Sequence, residues 1–169
     1  MSRDIKADNI LIDSGNNIKI ADFGIAVKQQ NLECETPSEV GSPYWMAPEV
    51  IEMKPPTPKA DIWSVGCLTV ELFTGKPPYF DLNPMSALFH ICEDDEIPID
   101  DPQHAISDLC LDFIRQCFVK NPEERSPASV LLRHPWFRSY GRKPESPKAP
   151  HRFSTTKGMI IYDYLWCNE

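Results

Sequence analysis

The chain holds 169 residues, 41% of them hydrophobic and 25% charged, with a formal net charge of −8. That is enough chain for one packed domain, and the acidic balance argues against a nucleic-acid partner, whose phosphates call for a basic surface. Six cysteines without C-x-x-C spacing, four histidines without metal-ligand spacing, no secretory leader and no apolar run of membrane-spanning length set the expectation of a reduced protein of the cytoplasm, or of the nucleus, with no membrane role.

The chain opens R-D-I-K-A-D-N, continues I-L-I-D-S-G-N-N-I-K-I-A, and reaches D-F-G at residues 22–24. Ile10 and Ile12 alternate onto one face, as do Ile18 and Ile20, and residues 13–17 between them are turn formers. This predicts a β-hairpin with a five-residue loop. A hairpin returns the chain to its start, so Asn9 before the first strand and Asp22 after the second are expected side by side. Two oxygen donors on a rigid ribbon suit Mg²⁺, which takes a few protein oxygens together with phosphate and water. Asp4 precedes Asn9 by five residues. A carboxylate placed there, near the metal without binding it, can accept the proton of an attacking hydroxyl. Lys6, two residues on, can offset charge on a transferring phosphate. As isolated features, these are better read as ordinary turn, cap or solvated side chains; together, in order and joined by a hairpin, they are far more specific.

Residues 25–46 are long and weakly patterned, as functional loops are. Their hydroxyls are Thr36, Ser38 and Ser42, and Thr36 precedes Pro37. Ser42, within G-S-P-Y-W, is expected to bond toward Asp4 and Lys6 rather than to accept phosphate. A short helix is predicted over residues 48–53, with Pro48 in its first turn. K-P-P-T-P at 54–58 breaks it. From Asp61 to about Thr74 the residues are apolar nearly all round, which predicts a buried central helix stopped by Gly75, with Trp63 in the core.

Residues 84–94 read as a helix with Met85, Leu88, Phe89 and Cys92 on its apolar face. Glu93, Asp94, Asp95, Glu96, Asp100 and Asp101 form an acidic stretch, a solvated loop or a dock for basic substrates. Ser107 is set as the N-cap of an amphipathic helix carrying Leu109, Cys110, Phe113, Ile114, Cys117 and Phe118. Asn121-Pro122 ends it. Ser126-Pro127 is read as the cap and first residue of a further helix to about Arg133, which closes on Trp136 and Phe137. Residues 138–157 turn basic and proline-rich, with the composition of a disordered tail. The last twelve residues are apolar again and offer a segment for docking without fixing where.

Taken together, R-D-I-K-A-D-N, D-F-G, A-P-E at 47–49, D-I-W-S-V-G at 61–66, N-P-E-E-R at 121–125 and H-P-W at 134–136 resemble the C-terminal lobe of a eukaryotic protein kinase over about residues 2–137. G-S-P-Y-W-M-A-P-E-V-I-E-M and P-P-Y-F-D-L-N-P-M-S-A-L-F resemble the epsilon-type MAP kinase kinase kinases and the septation-initiation kinases. The resemblance implies a mainly α fold with a small β-hairpin, divided into a kinase C-lobe at 1–137 and a tail at 138–169. It implies serine/threonine kinase activity with ATP and Mg²⁺. Asp4 and Lys6 would be catalytic, Asn9 and Asp22 would hold the metal and nucleotide, and Arg3 would pair with a phosphate on the activation segment, at Ser38 or Thr36. A buried Glu49–Arg125 pair would lie beneath that segment, and the helix at 84–94 would help recognise protein partners. The implied partners are a protein substrate, itself a kinase, and an upstream activating kinase.

Two departures stand out. Ser2 occupies the position where the family usually has His, and no G-x-G-x-x-G phosphate loop occurs in the 169 residues. The N-terminal β lobe is therefore expected to be absent, the functional polypeptide to be longer, and the chain alone to show little or no turnover. An open apolar surface along the central helix, with association as its consequence, is expected for the same reason. The alternatives are a non-catalytic kinase-like lobe that binds proteins and, more remotely, a small-molecule phosphotransferase.

Overall fold

The computed structural model describes residues 4–12, 18–20, 42–55, 57–100 and 106–138. The architecture is mainly helical. Among the described residues there are two strands, β1 (Ile10–Ile12) and β2 (Ile18–Ile20), and six α-helices: α1 (Pro48–Ile51), α2 (Lys59–Thr74), α3 (Pro84–Glu93), α4 (Asp108–Cys117), α5 (Ala128–Leu131) and α6 (Pro135–Arg138). Short 3-10 turns cover Ala7–Asn9 and Pro43–Trp45.

β1 and β2 pair antiparallel, with Ile10 opposite Ile20, Leu11 opposite Lys19 and Ile12 opposite Ile18. This is the expected ribbon. Leu11 and Lys19 face solvent, while Ile10 is half-buried and packs on the main core. The period of two thus separates a wet face from a core face.

Helix α2 is the centre of the lobe. Every residue from Ala60 to Val70 is buried. An apolar helix of this kind has no solvent face to present. Among the described residues, the apolar side chains of this helix that are not fully buried are Leu72 and Phe73 in its last turn, both half-buried against the core. The helix begins at Lys59, two residues before the expected Asp61, because Pro58 already holds helical angles (φ −55°, ψ −18°). It stops at Gly75, whose φ of 86° is left-handed and whose N–H bonds the Glu71 carbonyl at 2.8 Å.

Helices α2 and α4 cross at Gly66. A Cβ there would lie 2.8 Å from both Cys117 Cβ and Phe118 Cε1, so only glycine admits this approach. Ile62, Val65, Leu68, Phe113, Ile114, Leu131 and Trp136 form the main core around the crossing, and Ile5 of the entering loop joins it. A second cluster of Ala47, Ala60, Trp63, Cys67 and Ile91 ties α1 and α3 to the other side of α2.

The structure gives the face of α3 its direction and corrects the bounds of α5. On α3 the buried positions are Ala87 and Ile91, while Met85 and Phe89 are exposed. The helix docks on α1 and the 43–45 turn, with Ile91 in the second cluster against which Trp45, Val50 and Ile51 pack. At α5, Pro127 is the cap residue in extended backbone (ψ 165°), the helix starts one residue later than expected, and it lasts four residues. Ser107 caps α4 as expected, accepting from Cys110 N at 3.3 Å.

Candidate active site

Asp4 and Asn9 bracket the tight turn that leads into β1. The backbone N–H of Asn9 donates to the Lys6 carbonyl at 3.1 Å, which folds the loop back. Asn9 Nδ2 then donates to both the Asp4 side chain (Oδ2, 2.7 Å) and the Asp4 carbonyl (2.9 Å). Asn9 is buried although it is polar, and these bonds satisfy its amide nitrogen. Its amide oxygen is the atom through which it could bind a cation.

Lys6 lies across the same carboxylate, with Nζ 3.3 Å from Asp4 Oδ2. Lys6 Nζ also donates to Ser42 Oγ at 2.9 Å, and Ser42 Oγ reaches Asp4 Oδ1 at 3.4 Å. Three side chains from two distant segments therefore hold one carboxylate in place: an amide and an ammonium at Oδ2, a hydroxyl at Oδ1. The carboxylate is only partly buried, so a hydroxyl-bearing ligand can approach it.

The 42–45 segment is itself anchored. Tyr44 Oη donates to the Leu82 carbonyl at 2.9 Å, and Ser64 Oγ, on α2, donates to the Trp45 carbonyl at 2.7 Å. Trp45 Nε1 donates to Glu71 Oε2 at 3.0 Å. The same Glu71 oxygen accepts the backbone N–H of Ala7 at 3.1 Å. Glu71 is half-buried, and desolvation pushes its carboxyl above the ordinary carboxylate value, the two N–H bonds opposing that rise. Reading the sequence missed Glu71. The available signal was an acid on a helix otherwise apolar nearly all round, which calls for a polar partner.

Beneath the segment, Glu49 and Arg125 are both fully buried and form a two-pronged pair, Nη1 to Oε1 at 2.7 Å and Nη2 to Oε2 at 2.9 Å. Arg125 spends its remaining donors on the carbonyls of Val119 (2.8 Å), Lys59 (2.6 Å) and Lys120 (3.1 Å). Its guanidinium also sits over the Trp63 ring, 5.2 Å from the centroid. Trp63 is a core residue.

Arg3, Asp22, Thr36 and Ser38 lie outside the described residues. The structure thus brings together Asp4, Lys6, Asn9 and Ser42, and separately Glu49 and Arg125. Among the described residues, no group of three or more His, Cys, Asp or Glu side chains forms a metal cage. Asn9 Oδ1 is a hard oxygen donor of the kind Mg²⁺ takes together with waters and phosphate oxygens; Asp22, the second expected donor, lies outside the described residues. No described helix is long and apolar enough to cross a membrane.

Comparison with known proteins agrees with this geometry. Residues 1–137 match the family model for the protein kinase domain. The chain is 51% identical over 144 residues to MAP3K epsilon protein kinase 1 of Brassica napus, covering 85% of the chain and 11% of that protein. It is 52% identical over 134 residues to cell division control protein 7 of Schizosaccharomyces pombe, covering 79% of the chain and 12% of that protein. Cytokinesis protein sepH of Emericella nidulans is likewise 52% identical over 134 residues, with 79% of the chain and 10% of that protein covered. The chain therefore spans about a tenth of the length of these relatives.

Proposed function

Because this chain belongs to the protein kinase family, we propose that it carries the acceptor-activating half of a serine/threonine kinase site and moves the γ-phosphoryl group of ATP to a protein hydroxyl. The observation that carries the reading is the Asp4 carboxylate, gripped by Asn9 Nδ2 at 2.7 Å with Lys6 Nζ at 3.3 Å. An acceptor serine or threonine hydroxyl gives its proton to Asp4 as its oxygen bonds to the γ-phosphorus, and the bond from that phosphorus to the bridging oxygen of ADP breaks. Lys6 offsets the negative charge spread over the transferring group. Asn9 and Asp22 would hold Mg²⁺, which when bound neutralises phosphate charge.

Residues 1–137 would form the catalytic lobe and 138–169 a separate tail. Arg3 would receive a phosphate placed on Ser38 or Thr36 by an upstream kinase, ordering the loop between Gly24 and Ser42. The names of the relatives support a place in a signalling cascade with another kinase as substrate; the cytoplasm or nucleus is proposed as its compartment from the cysteine usage. Phosphoryl transfer asks a protein mainly for positioning and electrostatics. These 169 residues contain no glycine-rich phosphate loop, so on their own they are expected to give at most trace turnover.

The test is a chimera with the N-terminal kinase lobe of one of the relatives placed ahead of this chain, offered Mg-ATP and serine- or threonine-containing peptides. Transfer is expected, and Asp4→Asn is expected to lower it by roughly 10²–10⁴-fold, the usual contribution of a positioned base. A chimera that binds ATP but transfers nothing, or one indifferent to Asp4→Asn, would sink the reading.

A further inference from the structure

The segment that follows α3 runs alongside α4 and leaves an open groove of about 550 Å³ between them. That volume suits several side chains rather than an ion or a single water. The floor is apolar: Ile97 and Ile99 from the segment, Leu111 and Phe118 from the α4 side, all half-buried. Ile97 packs on the second cluster and Ile99 on the main core, so this wall is fixed to the lobe at two points. Lys120 Nζ donates to the Cys92 carbonyl at 2.6 Å, which ties the end of α3 to the residues just after α4. The rim is charged, with Asp95 and Glu96 on one wall and Arg115 on the other, all exposed. Asp94 is already engaged by Tyr79 Oη at 2.7 Å and by His90 at 3.1 Å. Among the described residues, Asp95, Glu96 and Arg115 form no ion pair.

We propose that this groove is the dock for a segment of the chain's own tail, residues 157–166. The described residues end at Arg138, the last residue of α6. Helix α6 packs on α4 through Trp136 and Phe137, whose rings lie 4.9 and 5.2 Å from that of Phe113. The tail therefore leaves the lobe beside the helix that forms one wall of the groove. Residues 138–157 join that point to the apolar segment. A flexible chain of about 20 residues has a mean span of roughly 25 Å, more than the roughly 15 Å length of a ten-residue helix such as α4.

The chemistry of the two surfaces is complementary. From Met159 to Trp166 the sequence M-I-I-Y-D-Y-L-W is apolar apart from Asp163, and Arg152 and Lys157 precede it. The two cations suit Asp95 and Glu96, Asp163 suits Arg115, and the apolar residues suit the floor. Residues 138–169 carry six basic residues against three acids in a chain whose net charge is −8, so tail and lobe attract each other. The family match covers residues 1–137, so the dock belongs to this chain's own tail and does not rest on the kinase reading.

A linker that spans the gap gives an effective concentration of about 1 mM, at which even a peptide affinity of about 0.1 mM gives a closed-to-open ratio of about ten. The test is hydrogen–deuterium exchange of the 169-residue chain, read by mass spectrometry. Residues 159–166 and 95–99 are expected to exchange about tenfold more slowly than in the variant Ile161→Asp with Leu165→Asp, with α2 equally protected in both. Asp95→Lys with Glu96→Lys, at exposed positions that leave the fold intact, is expected to release both segments several-fold. A synthetic peptide of residues 152–166 is expected to bind the Ile161→Asp, Leu165→Asp variant, whose own segment is released, and to bind the unsubstituted chain about tenfold more weakly. Exchange of 159–166 that is the same in the chain and in the tail variant would overturn the proposal. So would continued protection of 159–166 in Asp95→Lys with Glu96→Lys, which would place the segment elsewhere on the lobe. Equal peptide binding to both chains would leave the groove open to another protein, and protection lost on dilution would assign it to the tail of a second copy; either result overturns the proposal.

Discussion

Arg125 reaches Glu49 across 76 positions of sequence and closes a two-pronged ion pair in which neither side chain touches water. Every guanidinium donor has an acceptor, so the charge is not merely paired but fully hydrogen-bonded, the condition under which such a pair is tolerated in a core. Removing either partner strands the other. Glu49→Ala and Arg125→Ala are each expected to cost about 3–5 kcal/mol, measured by urea unfolding. Arg125→Lys is expected to recover little of it, because an ammonium cannot span two carboxylate oxygens and three carbonyls at fixed angles. A loss below about 1 kcal/mol, the level of an exposed pair, would show that the pair is open to solvent.

Gly66 makes a separate and purely steric prediction. The added methyl of Gly66→Ala would meet Cys117 Cβ and the Phe118 ring at 2.8 Å. Alanine is the better helix former by about 1 kcal/mol, yet the variant is expected to be destabilised overall by about 1–3 kcal/mol, because α2 and α4 must move apart. Cys117 is held by the core and cannot swing away, since its side chain is buried among Val65, Phe113 and Ile114. A melting temperature equal to or above that of the unsubstituted chain would refute the close approach.

How far these relationships could be read beforehand depended on their range. The hairpin, the buried helix with its Gly75 stop and the Ser107 cap each follow from periodicity or a local cap, and the structure has them. The kinase family was legible because its motifs stand at fixed spacing, and the epsilon-type and septation-type flavour agrees with the relatives found. Periodicity put Met85, Leu88, Phe89 and Cys92 on one face of α3 but not the direction of that face; Ala87 and Ile91 are the buried positions, and Met85 and Phe89 are exposed. Glu71 was missed because its partners, a backbone N–H and an indole, leave no trace in charge or spacing. Asp22, on which the metal reading leans, lies outside the described residues.

Glu71 also carries a pH dependence with a definite sign. Desolvation raises its carboxyl above the unfolded value; among the described charged groups that act on it, Asp8 adds to the rise and Lys6 opposes it, while Cys67 one turn earlier is held neutral by its own burial. An acid whose folded pKa is raised contributes stability that is full below the unfolded value and is lost as pH rises through the folded one. Glu71→Gln removes that titration. The melting temperature of Glu71→Gln relative to the unsubstituted chain is therefore expected to be higher at pH 7 than at pH 4. A difference that is flat across this range, or that runs the other way, would mean the carboxylate is not desolvated as described.

Ser42 separates two kinds of hydroxyl on the same loop. Its Oγ already accepts from Lys6 at 2.9 Å and lies 3.4 Å from Asp4 Oδ1. A phosphate there would set close to two negative charges against the carboxylate meant to receive a proton, and would draw Lys6 away from it. Ser42→Ala removes two contacts, the longer of which is near the limit of a hydrogen bond. In the chimera it is expected to lower transfer by no more than about tenfold, the value of one modest bond. Ser42→Glu is expected to abolish transfer, since the added carboxylate competes with Asp4 for Lys6 and for the space of the acceptor hydroxyl. An activating phosphate should then map to Ser38 or Thr36, by mass spectrometry of the transfer-competent chimera. Full activity in Ser42→Glu, or stoichiometric phosphate on Ser42 in the active form, would mean that the Asp4–Lys6–Ser42 arrangement is not the working geometry.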